Sequence, residues 1–318
     1  MRIKAGIIGV GNMGKNHVRL LREMNNEFEF VGAFDPDANR IYELGLSDMC
    51  FPTEDALIEA ADAIVIAAPS SLHKGIALKV AAAGKHLLVE KPLALSEEDA
   101  QEVVNAFEGT GNILQVGHVE RFNPVVLELE KIIRNEEIVA VHIERCSSMD
   151  RRISDTDVVY DLMIHDIDIL MNALIPGHQI ESLSAFGSKV YSKHYMDYVE
   201  AVMRFDNDVI ASVVSSRTTE GKLRNIQVHC VNSYIEADLL NRTLTISRKT
   251  AYSLDIGYDP VYRQENVVER VFVSNEEPLK AELKHFYKSI VDNTTPKTSG
   301  VSAVRSIMVL DSIKKQIY

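Results

Sequence analysis

Gly9-Val10-Gly11-Asn12-Met13-Gly14 follows directly on an apolar run, Ile3–Ile8, and opens the helically spaced stretch Met13–Met24. Few local patterns restrict a chain so strongly. The first glycine of such a turn permits the sharp reversal out of a strand, and the second lets the backbone approach a pyrophosphate. The third lets the helix lie close against the strand. Free N–H groups at the helix start, with the positive end of the helix dipole, then favour a phosphate, and Asn12 and Met13 lie within that turn. Asp35 ends the second apolar run, Phe28–Phe34, 21 residues beyond Gly14. That is the offset of the acid that accepts a ribose 2′-hydroxyl. A carboxylate there repels a 2′-phosphate, so the expected cofactor is NAD rather than NADP, with Arg40 the feature that counts the other way. The plainer alternative is a structural βα turn and a turn-initiating Asp before Pro36.

The first third of the chain alternates short apolar runs with helical spacing. Ile3–Ile8, Phe28–Phe34, Ala63–Ala67, His86–Glu90 and Ile113–Val116 read as strands buried on both faces. Met13–Met24, Leu72–Ala83 and Ser96–Phe107 read as helices, with Ser96 and Asp99 as a helix start and Gly84 as a stop. This alternation predicts a doubly wound parallel sheet, a Rossmann domain over residues 1–119. Beyond it come helices Asn123–Asn135 and Val159–Leu174. Strands follow at Glu181–Val190, Tyr198–Phe205, Val209–Ser216, Asn225–Val231, Tyr234–Leu239 and Leu244–Arg248. Ala251–Asn266, polar and rich in Tyr, reads as a loop, and helices Leu279–Asn293 and Val301–Ile317 close the chain. Residues 120–318 are thus expected to form an α+β domain, a mostly antiparallel open sheet with helices on one face. Apolar alternation in Ala201–Phe205 and Val209–Val214 is assigned to the uncovered face, which predicts a homodimer or homotetramer.

Composition excludes several classes. The 34 basic and 46 acidic side chains leave a formal net charge of −12, against the clustered cations that nucleic acid demands. No apolar stretch is long enough to span a membrane, and no signal peptide is legible at the start. Cys50, Cys146 and Cys230 are widely spaced, without metal-ligand spacing, and suit a reducing compartment. The expectation is a cytoplasmic protein with a small-molecule partner and no metal.

Two further segments sit at strand ends, where ligands of an open α/β sheet bind: Ala68-Pro69-Ser70-Ser71-Leu72-His73 and Glu90-Lys91-Pro92. With the glycine turn, Arg121-Phe122-Asn123-Pro124, Asp161-x-x-x-His165, Glu277-Pro278-Leu279 and Ser299-Gly300, they make the whole chain resemble the glucose–fructose oxidoreductase and inositol dehydrogenase family, Gfo/Idh/MocA. The resemblance implies a dehydrogenase acting on CH–OH groups. It places Lys91, Asp161 and His165 around the substrate carbinol. Gly9, Gly11, Asn12, Met13, Gly14, Asp35, Pro69, His73, Glu90, Lys91, Pro92 and Arg121 fall on the cofactor side.

The chemistry of the residues agrees with that reading. Asp161 and His165 stand four apart on one helix face, and a histidine can take a hydroxyl proton near neutrality. A lysine ammonium can polarise an oxygen. Met163 stands where many relatives have glycine. Gly117–Pro124 and Asp161–Asp166 resemble the branch that oxidises UDP-N-acetylglucosamine at its 3-hydroxyl. A free sugar or inositol dehydrogenase is the enzymatic alternative, and a non-catalytic NAD- or sugar-sensing regulator the other. Glu90-Lys91-Pro92 as a bare strand end, Arg121 as a helix-start charge, and Asp161 and His165 as a solvated pair (or, with Asp168, a crude metal site) are the structural alternatives; His118 reads as structural.

Overall fold

The computed structural model describes residues 2–149, 157–256 and 259–318; over 249–265 the description is of backbone alone. The chain divides into two compact units, Met1–Phe122 with Glu276–Met308, and Asn123–Asn275 with Val309–Tyr318. The chain leaves the first unit three residues past the expected boundary of 119/120. It also returns to that unit at Glu276, whereas the sequence was read as one uninterrupted second domain.

In the first unit, strands β1 (Ile3–Ile8), β2 (Phe28–Phe34), β3 (Ala63–Ile66), β4 (His86–Glu90) and β5 (Leu114–Gly117) pair in the order 2-1-3-4-5, all parallel. Helices α1 (Asn12–Glu23), α2 (Ala38–Tyr42), α3 (Glu54–Ala60), α4 (His73–Ala82) and α5 (Glu97–Phe107) connect them. The strands are apolar almost throughout because both faces are covered. Ile7 and Val65 join Leu20 and Leu21 of α1 on one side, while Ile8, Ile64 and Ile66 join Leu57, Val80 and Val103 on the other. Ser96 caps α5, its hydroxyl accepting from the Asp99 N–H at 3.2 Å.

The chain's return is explained by an apolar stripe. Leu279, Leu283 and Phe286 on α8 (Pro278–Asp292) recur at helical spacing and are buried with Phe28 of β2, whose ring meets Tyr287 edge-on at 5.7 Å. The parallel sheet thus gains a helix that follows the second unit in sequence. The last helix, α9 (Gly300–Ile317), belongs to the first unit through Met308 and to the second from Val309.

The second unit is an eight-stranded mixed sheet, mostly antiparallel. It contains β6 (Ile138–Cys146), β7 (Ile180–Ser188), β8 (Tyr198–Phe205), β9 (Ile210–Ser216), β10 (Leu223–Cys230), β11 (Ser233–Asp238), β12 (Thr243–Ile256) and β13 (Asp259–Arg270), in the order 13-12-11-10-6-9-8-7. Two elements differ from the sequence reading. The centre of the sheet, β6, was not foreseen; it pairs parallel with β9 and antiparallel with β10, so neither partner is its neighbour in sequence. Ala251–Asn266, read as a loop, is strand backbone in its described residues, part of the β12–β13 hairpin.

The helices of this unit include α6 (Pro124–Ile133) and α7 (Ile164–Ile169), the latter flanked by wider π-turns at Val159–Met163 and Leu170–Leu174. Val126, Leu129, Ile164 and Leu310 share one core with Val141, Ile143, Ala201, Met203, Phe205, Val209, Ala211 and Val213. The apolar alternation of β8 and β9 therefore faces the helices and not, as expected, the open side. The residues between them point the other way, and that face exposes Phe186, Val202, Ile210, Leu223 and Val268. No described helix is long and apolar enough to cross a membrane.

Candidate functional site

The glycine turn leaves β1 at Gly9, whose φ of +92° is open to glycine at little cost. A Cβ on Gly9 would lie 2.7 Å from the Ala67 carbonyl and the Ala68 nitrogen, and one on Gly14 would lie 2.1 Å from the Gly9 oxygen. Both glycines are therefore demanded by packing. Gly11 differs, since a Cβ there meets nothing within 4 Å. It is the N-cap of α1, without a side-chain cap and without an acidic residue in the first turn. The helix's free N–H groups and positive end thus face open space, which fits a dinucleotide pyrophosphate. Asn12 and Met13 begin α1 and are exposed.

Asp35 is buried, and its carboxylate accepts the Val10 N–H at 2.9 Å and the Asp37 N–H at 3.0 Å. It therefore ties the glycine turn to the end of β2. Half-exposed Arg40 stands 3.8 Å from the same carboxylate. Pro69 follows β3 and accepts the Leu72 N–H at 2.9 Å through its carbonyl. His73 is buried with Nδ1 2.7 Å from the Pro92 carbonyl and Nε2 2.9 Å from the Ala68 carbonyl. Its ring braces the segments after β3 and β4 against each other. Arg121 is buried in a 3₁₀ turn, Val119–Phe122, and Asn123 caps α6 by accepting the Val125 N–H at 3.0 Å.

Glu90-Lys91-Pro92 closes β4, with a cis Lys91–Pro92 bond. Behind it lies a cluster that the motifs did not reveal. Glu90 Oε1 sits 2.8 Å from Nε2 of fully buried His17, which joins the end of β4 to helix α1. Glu282 of α8 is also fully buried, and neither carboxyl oxygen has a hydrogen-bond partner. Burial first, and the nearby Glu90 second, push its pKa well above the usual carboxylate range. Helical periodicity does carry a signal for both residues. His17 falls with Gly14, Val18 and Leu21 on the buried side of α1, and Glu282 falls beside Leu279, Leu283 and Phe286.

In the second unit, Asp161 lies in the Val159–Met163 π-turn and half-buried His165 in the first turn of α7. Their four-residue separation keeps them on a common face across the change in winding, and such π-turns recur at functional sites. Asp157 fixes the turn's start, accepting the Val159 and Tyr160 N–H groups at 3.1 and 3.2 Å, and the Tyr160 hydroxyl donates to Asp311.

Two arginines absent from the sequence reading hold the acids of this helix. Arg217 Nη2 donates to Asp161 Oδ2 at 3.1 Å, and Arg145 grips Asp166 with Nε and Nη2 at 2.8–3.0 Å. The second pair is buried on both sides, so removing one partner would cost about 3–5 kcal/mol. Asp168 accepts from Asn172 Nδ2 at 2.9 Å. Nothing in the local sequence marks Arg217 or Arg145, because each pairs across 21 or more positions.

Residues 3–118 match the model of the Gfo/Idh/MocA oxidoreductase family, NAD-binding Rossmann fold, and residues 128–236 match the model of its C-terminal domain. The UDP-N-acetylglucosamine 3-dehydrogenase of Acidithiobacillus ferrooxidans is 28% identical over 310 residues, 96% of this chain and 94% of its own. The solved structure of that enzyme superposes with a TM-score of 0.88 at 27% identity, covering 100% of this chain and 98% of the other. The scyllo-inositol 2-dehydrogenase (NAD(+)) of Bacillus subtilis is 26% identical over 97% of this chain and 92% of its own. A levoglucosan dehydrogenase in complex with NADH shares the fold, with a TM-score of 0.82 at 18% identity over 99% and 97% of the two chains.

The buried acid makes a prediction about stability. Because the folded pKa of Glu282 is raised, its contribution is fully present below the unfolded value of about 4.5 and is lost as pH rises through the folded value. Across that window the parent should lose up to about 1.4 kcal/mol per pH unit. Glu282→Gln, a neutral side chain of the same size, is expected to melt higher than the parent at pH 8 and to match it more closely near pH 4. Parallel melting curves from pH 4 to 9 would show that this carboxyl holds no proton in the folded state.

Proposed function

The chain belongs to the Gfo/Idh/MocA oxidoreductase family, and within it we propose an NAD(H)-dependent dehydrogenase of UDP-N-acetylglucosamine that oxidises the sugar's 3-hydroxyl. The observation that carries the reading is the end-to-end relation to a UDP-N-acetylglucosamine 3-dehydrogenase, in a chain that carries Lys91, Asp161 and His165. The cytoplasm is the compartment this reading implies.

When bound, the nicotinamide supplies the chemistry of accepting a hydride from the carbinol carbon. The protein's residues handle the proton and the charge. His165 takes the proton of the hydroxyl as the C–O bond gains double-bond character. Lys91, as an ammonium, stabilises the negative charge that gathers on that oxygen. Asp161 orients the partners. The alcohol is thereby oxidised to a ketone, the cofactor is reduced, and one proton is released through His165 to solvent.

The expected result of a panel of nucleotide sugars, free sugars and inositols with NAD is NADH formation with UDP-N-acetylglucosamine, provided a coupled step removes the 3-keto product. Lys91→Ala and His165→Ala should each lower turnover by at least about 100-fold, and His165→Ala should leave NADH binding intact. Use of inositol or glucose, with the nucleotide sugar inert, would move the chain to the inositol-type branch. No reaction with any alcohol, together with unaltered ligand binding by the Lys91 variant, would favour a sensor.

Cofactor choice rests on Asp35. Its carboxylate at the end of β2 favours a ribose 2′-hydroxyl over a 2′-phosphate. NADH should therefore bind more tightly than NADPH in a fluorescence titration, and Asp35→Ala should narrow the gap. Equal or tighter NADPH binding by the parent protein would overturn the preference, with Arg40 as the residue responsible.

Assembly follows from the open face of the second unit's sheet. Phe186 at 75% and Ile210 at 51% exposure are apolar side chains on the sheet face opposite the one that packs on the helices. Burial against a second copy removes them from water at roughly 25 cal/mol per Å², which supports a two-fold dimer or a dimer of dimers. Light scattering at micromolar concentration should return a dimer or tetramer mass, and Ile210→Lys should weaken it. A stable monomer would exclude this arrangement.

A further inference from the structure

We propose that Arg217 is a positioning residue that fixes the Asp161 carboxylate during oxidation of the substrate carbinol, leaving His165 as the proton acceptor. The proposal rests on the reading of Asp161 and His165 given above.

The pair is asymmetric. The Arg217 side chain is 4% exposed and that of Asp161 is 23% exposed. A guanidinium keeps its charge in proteins and loses much hydration on burial, so its placement needs a partner. Here that partner is a carboxylate that is only partly buried. Oδ2 of Asp161 accepts from Arg217 Nη2 at 3.1 Å, which fixes the carboxylate from the buried side. Arg145–Asp166, five residues along, is closed on both sides, with exposures of 3% and 2%. An arginine thus meets an acid twice along this stretch, and of the two acids Asp161 is the more exposed.

Both halves of the Arg217–Asp161 pair are held by the backbone. Arg217 follows β9, and its N–H donates to the Asp197 carbonyl at 2.8 Å. Asp197 is fully buried, and its Oδ2 accepts the N–H groups of Val190, Tyr191 and Ser192 at 2.7–3.3 Å. On the other side, the Val158 N–H donates to the Met196 carbonyl at 3.2 Å, and the Asp161 N–H donates to that of Asp157 at 3.3 Å. The segment before β8 therefore holds both the arginine and the π-turn. An acid placed so firmly is suited to orientation, because a shift of about 1 Å in a catalytic group can cost on the order of 100-fold in rate.

The test compares the parent with Arg217→Gln, Arg217→Lys, Asp161→Asn and the Gln–Asn double variant, using the alcohol that turns over in the panel. Arg217→Gln should lower kcat by on the order of 10- to 100-fold while KM for NAD stays within about twofold. Arg217→Lys should recover part of the loss, because a cation again faces Asp161. In the Asp161→Asn background, Arg217→Gln should add almost nothing, since both act through one carboxylate. If Asp161→Asn is impaired and Arg217→Gln turns over like the parent, the positioning role fails and the catalytic reading stands. Multiplying losses in the double variant would likewise assign Arg217 an independent role. If Asp161→Asn is itself unimpaired, or no alcohol turns over, the proposal falls together with the reading beneath it. Should Arg217→Gln not fold, the Lys and Asn single and double variants decide by the same non-additivity.

Discussion

Helix α1 can lie against the end of β1 only because Gly14 and Gly9 carry no side chains: a Cβ on Gly14 would stand 2.1 Å from the Gly9 oxygen. That close approach aims the uncapped start of α1 at the carboxyl edge of the parallel sheet. Around the same edge, Asp35 ties β2 to the turn, His73 braces the segments after β3 and β4, and Glu90 joins β4 to His17 of α1. The dinucleotide-binding turn and the strand carrying Lys91 are therefore one mechanical unit. A larger residue at Gly9 or Gly14 would displace all of these together, while one at Gly11 would only fill space.

Buried charge is used differently in the two units. In the first, Glu282 is a fully buried carboxyl near Glu90, and burial, with that neighbouring acid second, pushes its pKa well above the usual carboxylate range, which lowers the cost of an isolated buried anion. In the second, Asp161 and Asp166 remain opposite guanidinium groups that cannot give up their charge. Carboxylates thus differ in role according to whether a permanent cation is within reach. The π-turn that carries Asp161 is bounded by Asp157 and by the segment before β8, so its placement depends on the sheet rather than on helix propensity.

The first unit was largely legible from sequence, with β1, β2 and β4 bounded as read and β3 and β5 within one residue. Strands buried on both faces announce themselves as apolar runs, and glycine turns have few conformations open to them. The second unit was less so. Central β6 alternates half-buried His142 and Glu144 with buried Val141 and Ile143, and its partners lie more than 60 residues away. The alternation of β8 and β9 was visible, but its direction was not: period two marks two faces without saying which one the helices cover.

Sequence alone determined the elements whose causes are local: the strand–turn–helix with its acid 21 residues on, the Glu-Lys-Pro strand end, and the four-residue step from Asp161 to His165. Those patterns also carried the family. Tertiary structure alone decided which charges meet, because Arg217 reaches Asp161 across 56 positions, Arg145 reaches Asp166 across 21, and Glu282 comes to lie near Glu90 from the far end of the chain. It also decided that α8 returns to the first unit, since an apolar stripe specifies that it must be buried but not against what.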